Sequence, residues 1–162
     1  MNNVLLLLGG DLGNLKQNFT KAEILISDTI GHIQKKSSLF ESKAWGFDST
    51  TLFLNQVLQI TTLHNAQNVL KLTQDIEKKI GRKSKTKDQQ YSSRLIDIDI
   101  LFFNDAIINE HNLIVPHPRL HLRNFTLEPL NEIAPHFIHP LLNKSIAWLL
   151  ANSKDSTPSY KI

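Results

Sequence analysis

Residues 94–103 read RLIDIDILFF, a short apolar stretch interrupted by two aspartates. Successive side chains of a β-strand point to opposite faces of the sheet, so the stretch is predicted to have one core face and one polar face. The core face is predicted to carry Ile96, Ile98 and Ile100. The other face is predicted to carry Leu95, Asp97 and Asp99.

The two aspartates require an explanation because they lie close together. Residues two apart on one strand face are roughly 6 to 7 Å apart. Carboxylates that reach toward a common point at about 5 Å repel by roughly 3 kcal/mol at an effective dielectric of about 20. Exposure to water, a raised pKa of one carboxyl group or a bound cation could each offset this repulsion. The alternative is that Asp97 and Asp99 simply lie on the wet face of a half-exposed sheet.

Composition restricts the class of protein. The 162 residues are enough for one domain with a substantial core, and a single domain over residues 1–162 is expected. The hydrophobic fraction of 41% and the charged fraction of 20% are typical of a globular protein. The absence of cysteine excludes disulfides, thiolate zinc sites and cysteine nucleophiles. The apolar run VLLLL is too short to span a bilayer and lacks signal-peptide features, so a cytoplasmic protein is expected.

Periodicity predicts the element order β-α-β-β-α-β. Strands are predicted at residues 3–9, 32–40, 53–63 and 94–103. This order is that of an α+β, ferredoxin-like split βαβ fold, in which an antiparallel sheet is packed with helices. The architecture hosts many unrelated activities and does not by itself indicate a function.

Capping signals place the helices. Asn14 is predicted to cap the first helix, which Gly31 ends, and Asn65 to cap the second, which Gly81 ends. Two short helices are expected near residues 127–133 and 145–151, with Trp148 in the core. Residues 153–162 are expected to be mobile.

A basic segment precedes the aspartates. Residues 82–93 read RKSKTKDQQYSS and contain almost nothing apolar. A polyanion is the natural partner of such a segment: nucleic acid, a membrane surface or the phosphates of a small molecule. Because the segment leads directly into Arg94 and the aspartates, it suits phosphates bound to Mg²⁺. The alternative is a solvated loop kept soluble by its lysines.

Other polar residues are candidates for a ligand site. Gln74 and Glu77 lie on one face of the second predicted helix, where the alternative is a solvent-facing surface. His117 lies between two prolines and could be either a phosphate donor or a structural histidine. Asn55 lies among apolar residues and must find hydrogen-bond partners if it is buried.

Arg123 and Phe125 follow His117 at a spacing that could direct a guanidinium toward phosphate and a ring toward an aromatic substrate. A core phenylalanine is the alternative for Phe125. The glycine-containing stretch GGDLGN lacks the ending of a P-loop, and no serine triad or dinucleotide fingerprint is present. Phosphate chemistry would therefore depend on the sheet and the basic segment.

These motifs together resemble the 6-hydroxymethyl-7,8-dihydropterin pyrophosphokinase family, from the first strand to about residue 135. The motif R-x-x-D-x-D at residues 94–99 is the most specific. It is supported by FLN at residues 53–55, Gln74 with Glu77, Gly81 with Arg82, and VPHPRLHLRNF at residues 115–125.

The resemblance implies a reaction and its central residues. Pyrophosphate would pass from the co-substrate ATP to the hydroxymethyl group of 6-hydroxymethyl-7,8-dihydropterin, with release of AMP, in folate biosynthesis. Asp97 and Asp99 would ligate two Mg²⁺ ions. Arg82 and Arg94 would stabilise the transferring charge, and no protein nucleophile is assigned.

It also implies two groups of binding residues. The ATP site would include Gln74, Glu77, Ile100, His117 and Arg123, with Lys85 or Lys87 in place of a family arginine. The pterin site would include Ser42, Ala44, Trp45, Phe53, Asn55 and Phe125, with Tyr91 able to stack on a ring.

The chain departs from the usual family pattern at three places. Gly-Ser-Asn after the first strand is here Gly9, Gly10 and Asp11. Thr-Pro-Pro near the pterin is here Ser42, Lys43 and Ala44. The basic residue, aromatic residue, Gly and Pro before Arg94 are here Gln90, Tyr91, Ser92 and Ser93.

Two other classes of protein remain as rivals. A nucleic-acid-binding module on a split βαβ sheet would place aromatic residues on the central strands, where this chain has aspartates that repel phosphate. An inactive relative serving as a structural partner would not need the retained aspartates and arginines. We therefore expect a monomer that binds small-molecule substrates, with no nucleic acid and no membrane.

Overall fold

The structure is a computed structural model that describes residues 1–43, 52–81 and 95–162. Its strands are β1 (Asn2–Gly10), β2 (His32–Lys36), β3 (Phe40–Lys43), β4 (Leu52–Thr62), β5 (Asp97–Phe103), β6 (Ile108–Glu110), β7 (Leu113–Val115) and β8 (Ser159–Lys161). Its helices are α1 (Leu15–Thr29), α2 (Ala66–Ile80), α3 (Asn124–Ile133) and α4 (Ile146–Ala151), with a 3₁₀ turn at Leu120–Leu122.

The main sheet is antiparallel. Its strand order is β5-β1-β4-β3-β8, and β2 also pairs with β4. The remaining strands, β6 and β7, form a separate hairpin. The predicted α+β class with an antiparallel sheet and packed helices is therefore confirmed.

Both faces of the sheet are covered, which explains the uninterrupted apolar run in β1. Val4, Leu6 and Leu8 belong to a first core cluster, which includes residues of α1 and α2. Leu5 and Leu7 belong to a second cluster, which includes residues of α3 and α4. The sheet thus lies between two helical layers, and its strands need apolar side chains on both faces.

The helix caps follow the sequence signals. The Asn14 side chain accepts a hydrogen bond from the backbone N–H of Gln17, and Asn65 accepts one from Asn68. Gly81 follows α2 with a backbone φ of +142°, a value that residues with a side chain rarely adopt. Both predicted helix starts are confirmed.

The predicted strand at 32–40 is two strands in the structure. The backbone N–H of Val57 donates to the Ser37 side chain, and Ser37 donates its own N–H to the Val57 carbonyl. A further register shift lies between Ile33 and Lys35. A serine hydroxyl thus takes part in the pairing with β4, and the strand is divided there into β2 and β3.

The strand in the stretch 94–103 begins only at Asp97. Leu95 therefore does not share the aspartate face, as the alternation predicted. Its side chain instead contacts Gly13 and Gly81, because a Cβ added to either glycine would lie 2.9 or 2.5 Å from a Leu95 methyl carbon. The isoleucine prediction holds, since Ile96, Ile98 and Ile100 all belong to the first core cluster.

Two further expectations were wrong. Residues 159–161 were expected to be mobile but form β8, which pairs with β3. Trp148 was expected in the core but is 45% exposed, with the Lys144 ammonium 4.7 Å from its ring centre. Since α4 has only six residues, it buries one narrow stripe, which Ile146 and Leu149 provide.

In the part of the chain that the structure describes, no helix is both long and apolar enough to cross a membrane.

Candidate active site

A row of three residues lies across three adjacent strands, near one end of each strand. Gly9 on β1 lies directly opposite Asn55 on β4 and, on its other side, opposite Asp97 on β5. Asp99 lies opposite Leu7, one pleat further along the same face. Because directly paired residues of antiparallel strands point to the same face, Asn55, Asp97 and Asp99 share one surface.

The Asn55 carboxamide has a defined orientation. Its Nδ2 donates to the Ser42 hydroxyl at 3.1 Å, and both residues are only 3% exposed. Its Oδ1 then lies toward Gly9, where an added Cβ would come within 3.1 Å of it. Ser42 is itself paired with Phe53, so three of the predicted pterin residues lie together on β3 and β4.

Asp97 and Asp99 are both half-buried rather than fully solvated. Their face of the sheet becomes the second core cluster further along, where Leu101 and Phe102 are buried. Within residues 1–43, 52–81 and 95–162, no group of three or more His, Cys, Asp or Glu side chains could hold a metal ion. Two carboxylates on one strand face nevertheless fit Mg²⁺, which commonly takes one or two carboxylates and completes its shell with phosphate oxygens and water.

His117 is held next to β5. Its backbone N–H donates to the Leu101 carbonyl at 3.0 Å, and its Nδ1 accepts the backbone N–H of Arg119 at 3.2 Å. Burial lowers the pKa of His117 to about 4, and the positive charges of Arg123 and Arg119 act in the same direction. The imidazole is therefore neutral at pH 7, and because Nδ1 is an acceptor, Nε2 carries the proton.

Arg123 and Phe125 lie at the start of α3. The Arg123 guanidinium is 5.3 Å from the centre of the Phe125 ring. Phe125 packs against the second core cluster but is only partly buried, so the alternative of a core phenylalanine holds in part. The positive charge of Arg123 helps to keep the pKa of His117 low, which links these two predicted ATP-site residues electrostatically.

The two predicted nucleotide-binding residues on α2 differ in their exposure to solvent. Gln74 is exposed, whereas Glu77 is only 5% exposed, so the alternative of a solvent-facing surface does not hold for Glu77. Ile100 is 5% exposed in the first core cluster. Its side chain belongs to the core, and only its backbone is available for a nucleotide.

Seven candidate site residues lie outside the described residues, and they are Arg82, Lys85, Lys87, Tyr91, Arg94, Ala44 and Trp45. Their neighbours in sequence are described. Gly81 at the end of α2 and Leu95 before β5 contact one another, as an added Cβ on Gly81 would lie 2.5 Å from Leu95 Cδ1.

The sequence interpretation missed the role of Gly9. A glycine inside an otherwise apolar strand is a known signal of close approach by another group. That signal was available in the run VLLLLGG, but the identity of the approaching group depends on the pairing of β1 with β4.

The α+β chain thus brings two carboxylates and a carboxamide to one end of its sheet, and it holds a neutral histidine beside Leu101 of the same strand β5. A model of the 7,8-dihydro-6-hydroxymethylpterin-pyrophosphokinase (HPPK) family matches residues 5–135. The chain therefore belongs to this family.

Individual relatives agree with this membership. A protein of Aquifex aeolicus named 2-amino-4-hydroxy-6-hydroxymethyldihydropteridine pyrophosphokinase is 40% identical over 146 residues, which are 90% of this chain and 89% of the relative. A Bacillus subtilis protein of the same name is 37% identical and covers 82% of this chain and 79% of its own length.

A solved structure shares the fold. The crystal structure of HPPK-DHPS from Plasmodium falciparum superposes with a TM-score of 0.74 at 20% identity over 93% of this chain. This chain spans 43% of that longer chain.

Proposed function

We propose that this chain transfers pyrophosphate from ATP to the hydroxymethyl group of 6-hydroxymethyl-7,8-dihydropterin and releases AMP, as a step of folate biosynthesis. The observation that carries the proposal is the row of Asn55, Gly9 and Asp97 within a chain of this family. In the reaction, the pterin hydroxyl oxygen attacks the β-phosphorus and releases its proton to solvent. The bond between the β-phosphorus and the oxygen that bridges to the α-phosphate breaks, and AMP leaves with that oxygen.

The sheet row matches the dimensions of the proposed acceptor substrate. Asn55 and Asp97 are two strand spacings apart, about 10 Å across the sheet. A two-ring heterocycle fits this distance, with its amide-like edge at the Asn55 carboxamide and its hydroxymethyl group near Asp97. Because Ser42 fixes the Asn55 amide, Oδ1 faces the substrate space and selects an N–H donor. Phe53, Phe125, Trp45, Tyr91 and the backbone near Ala44 would complete this pterin site.

Asp97 and Asp99 are proposed to hold two Mg²⁺ ions together with phosphate oxygens of ATP. Magnesium would supply charge neutralisation and alignment of the attacking and leaving oxygens. The protein's own contribution is to hold two carboxylates on a strand that is hydrogen-bonded to β1. The proposed magnesium dependence rests on the fact that both donors are carboxylates, which magnesium prefers as ligands.

His117 and Arg123 are proposed to bind the phosphates, with Gln74, Glu77, the Ile100 backbone and Lys85 completing the nucleotide site. A neutral His117 with its proton on Nε2 can donate to a phosphate oxygen without changing charge. Arg82 and Arg94 would stabilise charge that develops on the transferring group. In this type of chemistry, positioning and charge stabilisation provide most of the acceleration.

Several finer properties are part of the same proposal. The strand order around β1 and β4 supports a ferredoxin-like classification for the sheet. We propose a single-domain, monomeric, cytoplasmic enzyme that uses neither nucleic acid nor a membrane. A nucleic-acid-binding role is disfavoured because the aspartates of β5 would repel a phosphate backbone.

The proposal is tested by the identity of the nucleotide product. The protein is incubated with ATP, MgCl₂ and 6-hydroxymethyl-7,8-dihydropterin, and the adenine nucleotides are separated by chromatography. AMP formed in equal amount to pyrophosphorylated pterin is the expected result. Formation of ADP would indicate an ordinary kinase, and no pterin-dependent turnover would contradict the proposal.

Replacement of Gly9 by alanine is expected to weaken pterin binding through Asn55. The added Cβ would lie 3.1 Å from Asn55 Oδ1, so the carboxamide must move by a few tenths of an ångström. We expect the KM for the pterin to rise by about fivefold to tenfold, with the ATP affinity unchanged. Steady-state kinetics at saturating ATP measure this.

A double-mutant cycle provides the control for Gly9→Ala. In an Asn55→Ala background the crowded oxygen is absent, so adding Gly9→Ala should have no further effect on the pterin KM. Equal effects of Gly9→Ala in both backgrounds would show that Gly9 acts in some other way.

His117 makes the stability of the protein depend on pH. Its folded pKa of about 4 is below the ordinary value of 6.5, so between these values the unfolded chain binds the proton and the folded chain does not. Stability therefore falls as pH decreases from 6.5 toward 4, by about 2 kcal/mol at pH 5. Urea unfolding at pH 7.5 and pH 5 should show this loss in the wild type.

The His117→Asn variant isolates this contribution because asparagine keeps an acceptor near Nδ1 but does not titrate. Burial also lowers the pKa of His139, but His139 is present in both proteins and its contribution cancels. The variant should lose less stability at pH 5 than the wild type. An equal loss in both proteins would mean that His117 is protonated in the fold at pH 5.

A further inference from the structure

The 155–161 segment lies outside residues 5–135, which match the family model. It nevertheless contacts two elements that carry predicted substrate residues. One is the start of α3, where Phe125 lies. The other is β3, which carries Ser42.

The first link is an external cap on α3. The Asp155 carboxylate accepts the backbone N–H of Asn124 at 2.8 Å, and Asn124 is the first residue of the helix. Arg123 occupies the N-cap position, but an arginine side chain has no acceptor for these N–H groups. Asp155 therefore provides the acceptor and the negative charge that a helix N-terminus favours.

The Asn124 side chain strengthens this link. Its Nδ2 donates to the Asp155 carbonyl at 2.8 Å and lies 3.4 Å from the Thr157 carbonyl. The backbone N–H of Thr157 in turn donates to the second oxygen of the Asp155 carboxylate at 2.9 Å. Asp155 thus stabilises the turn at residues 155–157 and also holds Asn124, the residue between Arg123 and Phe125.

The second link is strand pairing with β3. Ser159 lies opposite Ser42, and the pairing continues through Tyr160 and Lys161. Without β8, β3 would be an edge strand held on one side only, by β4. The segment therefore supports the strand whose serine orients Asn55.

A third contact joins the same elements near the other end of α3. The Lys161 ammonium lies 3.2 Å from a carboxylate oxygen of Glu132, and the other oxygen of Glu132 accepts the backbone N–H of Ser38 at 2.6 Å. Glu132 belongs to α3, and Ser38 precedes β3. The segment thus reaches β3 directly, by strand pairing, and α3 reaches the residues before β3 through Glu132.

We infer that residues 155–161 are a positioning segment for the pterin site, in which Asp155 fixes Phe125 and β8 fixes Ser42 at a constant separation. This inference rests on the proposed function for its kinetic consequences. Asp155 acts on α3 through Asn124 and on β3 only through the chain that leads to β8, and it does not touch substrate, so it is a positioning residue. Its loss should affect pterin recognition more than ATP binding, because the two connected elements carry two proposed pterin residues, Phe125 and Ser42, but only one proposed ATP residue, Arg123.

The kinetic test compares three changes with a matched control. Asp155→Ala removes the cap, Asn124→Ala removes only the side-chain hydrogen bonds, and a chain that stops after Thr157 keeps the cap but lacks β8. Asp28→Ala, at an exposed carboxylate near the end of α1, is the control. Measurements are kcat, the KM for pterin, and the Kd for a non-hydrolysable ATP analogue.

For Asp155→Ala we expect a pterin KM about tenfold above that of the wild type. The free energy that corresponds to a tenfold change lies within the range of stability lost when a helix cap is removed. The ATP-analogue Kd should change by less than about threefold, and Asn124→Ala should show the same pattern with a smaller size. The shortened chain should also raise the pterin KM. Unchanged pterin KM values, or equal weakening of pterin and nucleotide, would overturn the inference.

Amide hydrogen exchange provides a measurement that does not depend on activity. In Asp155→Ala, protection should fall at the start of α3 and in β3, while α1 and α2 stay protected. Unchanged protection in both regions would contradict the link. If the wild type forms no AMP, the proposed function fails, whereas the exchange result still decides whether residues 155–161 hold α3 and β3.

Discussion

Replacing Asp97 or Asp99 by alanine is expected to abolish pyrophosphoryl transfer, with kcat lowered by about three orders of magnitude or more. Both carboxylates lie on one face of strand β5, and they are proposed to hold magnesium against the phosphates of ATP. Without either one, the transferring group would lose a large part of its charge neutralisation. Rapid-quench measurement of AMP formation would detect the residual rate.

Folding should survive these substitutions. The two carboxylates repel each other when no cation is bound, by at most about 3 kcal/mol, so removal of one relieves this repulsion. The midpoint of thermal unfolding should therefore stay close to that of the wild type in magnesium-free buffer. Asp105→Ala is the matched control, because this exposed carboxylate lies just beyond the end of the same strand. A near-normal rate in either variant would contradict the metal assignment.

The Arg82→Ala variant is expected to lower kcat by about three orders of magnitude while ATP affinity is largely kept. Arg82 follows the helix-ending Gly81 in sequence, and it is proposed to contact the transferring group mainly in the transition state. Interactions made only in the transition state lower kcat without changing ground-state binding. Single-turnover kinetics and equilibrium binding of an ATP analogue separate these two quantities.

Lys79→Ala provides the comparison for Arg82→Ala, since Lys79 is an exposed cation in the last turn of α2. It should leave both kcat and nucleotide affinity near the wild-type values. A large loss of ATP affinity in Arg82→Ala, with little change in the single-turnover rate, would assign Arg82 to ground-state binding instead.

The part of the fold that local sequence determines was predictable. Asn14 and Asn65 cap helices as expected, and the apolar spacing of α1 and α2 places Phe19, Ile26 and Ile76 in the core. These signals are local, because a cap needs only the next three residues and a helical stripe needs only its own period.

Apart from Trp148, whose exposure follows from the short helix α4, the failures depend on contacts distant in sequence. Ser37 divides the predicted second strand through its bond to Val57, and β8 forms because the β3 edge is available for pairing. Leu95 leaves the strand pattern because it packs between Gly13 and Gly81. None of these partners can be identified from the composition of the segment concerned.

The candidate site divides in the same way. Its chemical groups could be read from the motifs that include Asn55, Asp97 and His117. Their arrangement could not be read, because the row through Gly9 requires the register of three strands. Asp155 gave no motif at all, since a cap supplied from 31 residues away has no sequence period.

The central claim is that Asp97 and Asp99 hold magnesium with the phosphates of ATP beside the pterin. A crystal structure of the complex with MgCl₂, a non-hydrolysable ATP analogue and 6-hydroxymethylpterin tests it most directly. We expect metal density bonded to both carboxylates and to phosphate oxygens, with the pterin edge at Asn55. A bound nucleotide whose phosphates lie elsewhere, with both carboxylates contacting only solvent, would contradict the account.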